Sequence, residues 1–312
     1  MQRAEMTLTD PVEVTWQELQ VDGAALRIFG ETLRRDSAVM LRDCPLHRNT
    51  PPMVLYEVVE QLFRLPMERL LSFEVADPKN EGGYVRSGPW RGSLLPEGWH
   101  IVSETRPPVR TGRPASVWPS ELPRLRSVLL PYCAQLSAAA DTILSAVARL
   151  YARPADYLKR LRTGAEDVMR LLHYKANPGE EPQAFPGHTD LSLLTLFPPA
   201  TSPGLEREVQ PGIWQAVNVP EDGLLVGTGG ALGVLTDGDL RPLQHRVHEL
   251  GTSGVAERYS VSMFVNPRPD IKVTLVRESP GAVGDQADQH GQTFEAWFQD
   301  RLRRAQQHDP AS

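Results

Sequence analysis

Cysteine is scarce: Cys44 and Cys133 are the two in 312 residues, too few for a disulfide framework or a zinc cluster. No stretch approaches the roughly 20 apolar residues of a membrane-spanning helix. The opening residues, with Glu5 and Asp10, lack the apolar heart of a secretion signal. Net positive charge is missing as well. A formal charge of −6 leaves no electrostatic footprint for nucleic acid or an anionic membrane. These absences predict a cytoplasmic protein that works on neither nucleic acid nor membrane. What is present is ordinary for a globular chain, with 40% hydrophobic and 23% charged residues and ample length for a sizeable core. The 28 prolines and 24 glycines are scattered, which predicts many short elements joined by turns.

Helical patterns come first. Leu26, Phe29 and Leu33 recur at helical spacing over 23–35, and Ala38 to Leu41 reads as a short strand. Pro51 to Leu65 is a second helix with one broad apolar face. Residues 77–117 are rich in Gly, Pro and Arg and weakly periodic, the texture of a functional loop. Arg86, Arg91, Arg106, Arg110 and Arg113 within it are candidates to meet a substrate carboxylate. From Leu122 to Tyr151 apolar residues step by alternating fours and threes, predicting a long helix, kinked at Pro131, that backs a sheet. A shorter helix opens at Pro154 and closes before Gly164.

Strand patterns then take over: Asp167–Tyr174, Phe185–Phe197, Ile213–Val217, Gly223–Val226, Gly230–Leu235, Gln244–Leu250, Ser260–Val265 and Ile271–Val276. Turn signals at Pro211-Gly212, Asp222-Gly223 and Asp237-Gly238 separate several of them. Helices followed by regularly spaced short strands predict a mainly β protein with flanking α, a sandwich or jelly roll packed on a helical layer. Thr293 to Arg304 closes the chain as an amphipathic helix.

One stretch carries chemistry. His188-Thr189-Asp190 sits in the apolar run from Ala184 to Phe197. On a strand, residues two apart point the same way, so His188 and Asp190 share a face. Two imidazoles and a carboxylate on one side of a metal, with other positions open, form the ligand set of a non-haem Fe(II) oxygenase. A second imidazole is offered by His245 or His248, three apart and facing opposite ways; spacing alone does not choose between them. Further on, Arg258, Ser260, Ser262 and Phe264 share one face, and a guanidinium beside a hydroxyl suits the far end of a dicarboxylate.

Together these residues resemble the Fe(II)/2-oxoglutarate-dependent oxygenases of the isopenicillin N synthase-like group. The signatures are His188-Thr189-Asp190, His245-Arg246-Val247 and Arg258-Tyr259-Ser260. The likeness extends to Leu65-Pro66-Met67-Glu68-Arg69, Gly82-Gly83-Tyr84, Trp118-Pro119, and Met169-Arg170-Leu171 with Tyr174. It selects His245 over His248. It implies a double-stranded β-helix (jelly roll) core backed by N-terminal helices and the long helix. It further implies Fe(II) on His188, Asp190 and His245, with 2-oxoglutarate held by Arg258, Ser260 and Tyr174 and O2 consumed. Phe185, Phe264, Ser262, Arg170 and Tyr84 are expected to meet a small-molecule substrate, of the kind found in specialised metabolism. On this pattern 1–117 is an N-terminal region and active-site loop of the same domain, 118–163 the backing helices, 164–280 the catalytic core and 281–312 a C-terminal helix and tail. The oligomeric state stays open.

Three other readings compete. An iron oxidase that dispenses with 2-oxoglutarate carries the same Arg-x-Ser, and a silent ligand-binding protein on this fold needs no ligand triad. Separately, Leu224 to Gly233 resembles a dinucleotide fingerprint. The turn at Asp237-Gly238 follows too closely for the helix a pyrophosphate requires.

Overall fold

The computed structural model describes residues 11–21, 23–75, 82–102, 116–175, 183–248, 257–273, 276 and 291–307. Strands β1 (Glu13–Thr15) and β2 (Ala38–Arg42) flank helix α1 (Ala24–Asp36), and α2 (Leu46–Asn49), α3 (Pro52–Phe63) and α4 (Met67–Leu71) follow. Next come β3 (Gly83–Val85), β4 (Gly88–Trp90), β5 (Ser93–Leu95) and β6 (Glu97–Val102), then α5 (Pro123–Leu150) and α6 (Tyr157–Arg162). The second half holds β7 (Val168–Lys175), β8 (Phe185–His188), β9 (Leu194–Phe197), β10 (Leu205–Gln210), β11 (Ile213–Ala216) and β12 (Leu224–Thr228). Helix α7 (Gly230–Leu235), β13 (His245–Val247), β14 (Glu257–Val265) and α8 (Phe294–Gln307) complete it.

The strands form a major sheet, ordered β1-β2-β12-β9-β14-β7-β6-β3, and a minor sheet, β11-β10-β13-β8. This is the double-stranded β-helix, and strand alternation decides what each face meets. Met169 and Leu171 on β7, and Tyr259, Val261 and Met263 on β14, join α1, α3 and α5 in the main core. The opposite faces turn toward the minor sheet, where Met40, Tyr174, Leu225 and Val247 form a smaller apolar cluster. Helix α5 starts with Pro at its first turn, runs unbroken through Pro131, and buries Leu125, Leu129, Tyr132, Leu136, Ile143 and Val147. Helix α1 ends where Ser37, at φ 57°, returns its N–H to the Leu33 carbonyl at 3.0 Å. No helix among the described residues is long and apolar enough to cross a membrane.

Several elements differ from the sequence reading. The run from Phe185 to Phe197 is two strands, because β8 belongs to the minor sheet and β9 to the major one, and 189–193 must cross between them. Gly230–Leu235 is a helix rather than a strand. Ala231, Leu232, Gly233 and Leu235 are all buried, so no polar stripe revealed the helical period. Of Gln244–Leu250 only His245–Val247 pairs as a strand, and 249–250 lie outside the described residues. Of Ile271–Val276, residues 274–275 lie outside the described residues and the others join neither sheet: Lys272 makes an isolated bridge to Thr293, and Val276 N–H donates to the Leu235 carbonyl at 2.7 Å. Within 77–117, the described residues form strands β3 to β6. Strand β10 lacks an alternating apolar pattern because one of its inward positions is a buried arginine, Arg207, paired with Asp36 at 3.3 Å.

Behind β7, on the face away from the minor sheet, Glu97 is 2% exposed. It accepts from Tyr84 Oη at 2.6 Å, His173 Nδ1 at 2.8 Å and Lys175 Nζ at 2.5 Å. Burial alone would raise its pKa, but the donors from His173, Lys175 and Tyr84 overcome that and hold it down to about 2, against 4.5 for a free glutamate. A folded-state pKa below the unfolded one gives stability that is present above about pH 4.5 and lost as pH falls through about 2. Chemical denaturation should therefore show the wild type losing its margin over Glu97→Gln across that window, and a margin constant down to pH 2 would contradict the assignment.

Candidate metal centre and its two cavities

His188 and His245 are direct cross-strand partners where β8 and β13 pair antiparallel, so register alone sets their rings 4.3 Å apart. Each ring is oriented by its own backbone. His188 Nδ1 lies 2.9 Å from the Pro186 carbonyl and His245 Nδ1 3.2 Å from that of Leu243. A carbonyl only accepts, so both Nδ1 atoms carry the proton and both Nε2 lone pairs face inward. Burial, with His188 alongside, pushes His245 down to about 4, which keeps it neutral near pH 7.

Asp190 stands beyond the end of β8, so its place beside His188 comes from the crossing between sheets rather than from strand alternation. Its Oδ1 is 3.6 Å from His188 Nε2 and its Oδ2 3.7 Å from His245 Nε2. One ligand atom from each of the three residues lies within 4.8 Å of the others. Burial alone would raise the Asp190 pKa, but His245, His188 and the Thr195 hydroxyl hold the carboxyl well below the usual range. Thr195 Oγ1 donates to Oδ2 at 2.6 Å. The backbone is clamped too: the N–H groups of Gly229, Gly230 and Ala231 donate to the carbonyls of Leu193, Asp190 and Ser192 at 3.0, 2.8 and 3.1 Å. A Cβ on Gly229 would lie 2.1 Å from the Ser192 oxygen, so this approach requires glycine. Three amides of the glycine-rich stretch are thus spent on the loop that carries Asp190 rather than offered to a phosphate.

A cavity of about 300 Å³ opens from the three ligands toward Arg258, Ser260 and Tyr174. Arg258 and Tyr174 are cross-strand partners on β14 and β7, with the guanidinium 5.1 Å from the ring centre. Arg258 is 4% exposed, and its Nε donates to the Ser202 carbonyl at 3.1 Å. Its Nη1, the Tyr174 hydroxyl and the Ser202 hydroxyl are buried with no partner in hydrogen-bond geometry. Buried polar atoms left unpaired are costly, and here they face one cavity. Burial lowers the Arg258 pKa and raises that of Tyr174 to about 12. A ligand carboxylate offers what these donors lack, so the residues fit the distal end of 2-oxoglutarate, and the neutral Nε2 atoms with a carboxylate fit a divalent iron.

A second cavity, of about 580 Å³, lies on another side of His188 and Asp190. Arg170, Phe185 and Phe264 line both cavities, whereas Ser262 lines only the first. Tyr84 lines neither. It sits on the major-sheet edge strand with its hydroxyl on Glu97, so its expected place against the substrate is corrected to a structural one. Arg86 likewise pairs with Glu74 at 2.8 Å, and Arg106, Arg110 and Arg113 lie outside the described residues. His248 turns to Glu206 at 3.7 Å, away from the triad. Arg91, one of the loop arginines expected to meet a substrate carboxylate, lines the second cavity, whereas Thr195, Trp90 and the α8 residues Phe298 and Arg301 are site neighbours that the sequence reading does not name. For Thr195 the signal was its position five residues after Asp190, where the chain re-enters a strand.

Residues 165–267 match the family model described as the 2OG-Fe(II) oxygenase superfamily. Mugineic-acid 3-dioxygenase of Hordeum vulgare is 26% identical over 235 residues, 74% of this chain and 68% of that protein. Clavatol oxidase claD of Penicillium crustosum is 29% identical over 67% of this chain and 65% of its own length. The matched stretch thus spans about two thirds of each relative. In fold, full-length Neurospora crassa T7H, solved in complex with alpha-KG, superposes with a TM-score of 0.78 at 20% identity, covering 96% of this chain and 97% of that one.

The Thr195 contact is testable. Thr195→Val keeps the shape and removes the donor to Asp190, so anaerobic Fe(II) titration should show affinity weakened about 10- to 100-fold with the fold intact by circular dichroism. His248→Ala should leave affinity unchanged. Equal affinity in Thr195→Val and wild type would remove Thr195 from the site.

Proposed function

We propose that this chain, a member of the 2OG-Fe(II) oxygenase superfamily, oxidises a small organic molecule with Fe(II) bound by His188, Asp190 and His245 and 2-oxoglutarate held by Arg258, Ser260 and Tyr174. One observation carries the reading. Buried, unpartnered donors on Arg258 and Tyr174 share a cavity with a three-residue ligand face. When bound, iron and 2-oxoglutarate would supply the oxidation: 2-oxoglutarate would take up one oxygen atom of O2 and lose CO2 to become succinate, and the other oxygen atom would enter the substrate or leave as water with two substrate hydrogens.

The chain's own residues do the positioning. His188, Asp190 and His245 would hold the metal and, being three residues, would leave it positions for further ligands. Thr195 and the Gly230 amide hold Asp190 in place while the Pro186 and Leu243 carbonyls hold the two rings. Arg258 and Ser260 orient the dicarboxylate from the major sheet. Phe185, Phe197 and Phe264 line the walls with apolar surface, which excludes water and strengthens each polar contact inside. The motifs Leu65-Pro66, Trp118-Pro119 and Met169-Arg170-Leu171 support the isopenicillin N synthase-like group within the superfamily. Cys44 and Cys133 are buried and not joined in a disulfide, which suits the reducing cytoplasm.

Anaerobic addition of Fe(II) and 2-oxoglutarate should give a weak visible metal-to-ligand charge-transfer band that needs both. His188→Ala should abolish it, and Arg258→Ala should raise the 2-oxoglutarate concentration required by about tenfold or more. Iron binding without any 2-oxoglutarate-dependent band would instead favour an oxidase that works without the cosubstrate. Absence of iron binding would leave a silent ligand-binding module.

A further inference from the structure

The second cavity holds more positive charge than its neighbours balance. Arg170 on β7, Arg91 at the β4–β5 turn, and Arg301 and Arg304 on α8 all reach it. The one carboxylate lining it is Asp190, which the metal claims on the reading above. Arg304 is paired with Asp300 at 2.8 Å. Arg91, Arg170 and Arg301 form no ion pair among the described residues. Each lies near an aromatic ring instead: Arg91 is 4.6 Å from Trp90, Arg170 is 4.6 Å from Phe264, and Arg301 is 5.9 Å from Trp297. A guanidinium near a ring is held by its flat face, and its N–H edge stays open to a planar anion.

Arg170 is the innermost of the three. Its Nε donates to His100 Nε2 at 3.0 Å, a ring nitrogen that adds no negative charge when it accepts. Asp190 is near enough to act on it, but a metal held there would draw that charge away, and a buried guanidinium in an apolar wall is then costly until another anion arrives. Arg91 is costly in another way. It sits at φ 47° before Gly92 at φ 75°, in the left-handed conformation a two-residue hairpin turn demands. A non-glycine residue there is strained, and such strain is characteristic of residues placed for a ligand. Phe185, Phe264, Trp90 and Phe298 supply apolar walls beside these charges.

We infer that this cavity takes the substrate as a small organic carboxylate, its anion held by Arg170 with Arg91 and Arg301 and its apolar body laid on the aromatic walls next to the metal. The inference rests on the oxygenase reading, because it is the metal that makes this cavity a substrate site. It adds the substrate's charge. An acid held at Arg170 presents the carbons beyond its carboxylate to the metal side of the cavity, so oxidation falls on the body of the molecule while the carboxylate survives.

The test is calorimetric titration with hexanoate and 3-phenylpropionate, each against its own amide, in protein held anaerobically with Fe(II) and saturating 2-oxoglutarate so that the Arg258 site is already filled. At least one acid should bind about tenfold or more tightly than its amide, and this preference should collapse in Arg170→Gln and shrink in Arg91→Gln and Arg301→Gln. The latter two sit at the cavity rim on a turn and a helix face, which keeps the outcome readable should Arg170→Gln fail to fold. Equal binding of acids and amides, or an acid preference untouched by Arg91→Gln and Arg301→Gln, would overturn the inference. The charge-transfer band recorded on the same samples separates the two claims. A normal band without acid preference sinks the substrate class alone, whereas a missing band with arginine-dependent acid binding sinks the oxygenase reading and leaves an acid-binding cavity.

Discussion

Everything at the centre of this protein depends on the grip of one short turn on another. Three successive backbone N–H groups, from Gly229, Gly230 and Ala231, donate into the carbonyls of the loop that carries Asp190. That loop is where the chain leaves the minor sheet for the major one, a place where irregular backbone would otherwise leave buried polar groups unpaired. The clamp satisfies those groups and fixes the carboxylate at once. Removing it would leave two well-placed imidazoles facing a wandering third ligand.

Much of this arrangement was legible in the sequence, for a physical reason. Strand alternation is a rigid rule, so Arg258, Ser260, Ser262 and Phe264 do share a face on β14, and β7 presents Arg170, Leu172 and Tyr174 opposite them. The fold class followed from helices preceding strands. Details set by crossings between sheets were not legible. An apolar run looks the same whether it stays in one sheet or changes sheets, so β8 and β9 read as one strand. Helix α7 is buried on all sides, which erases the periodicity that distinguishes a helix from a strand. Tyr84 was drawn toward the substrate by its motif, yet its hydroxyl is one of three donors that keep Glu97 ionised inside the core. Only the partner, 13 residues away in the chain, reveals that role.

The two cavities divide the work through a common wall. Phe185, Phe264 and Arg170 each show a surface to both sides, so a side chain that shapes one pocket also shapes the other. Apolar rings set the dryness of both, and dryness is what gives the few charges in them their strength. The arginines of the outer cavity come from three separated parts of the chain: the β4–β5 hairpin, β7 and α8. On the proposed reading selectivity can therefore drift through the hairpin and the last helix while the candidate metal ligands, held on the minor sheet and the loop leaving it, stay as they are.

The candidate metal ligands belong to the minor sheet and the loop leaving it, whereas Arg258, the proposed cosubstrate anchor, belongs to the major sheet. The gap between them is the spacing of two stacked sheets, about 10 Å and stiffened by the packing on either side. On the proposed reading the sandwich acts as a caliper. On that reading a longer or shorter oxoacid is a poorer match to the separation of the sheets that carry its two ends, so the length of the diacid is set by the thickness of the fold.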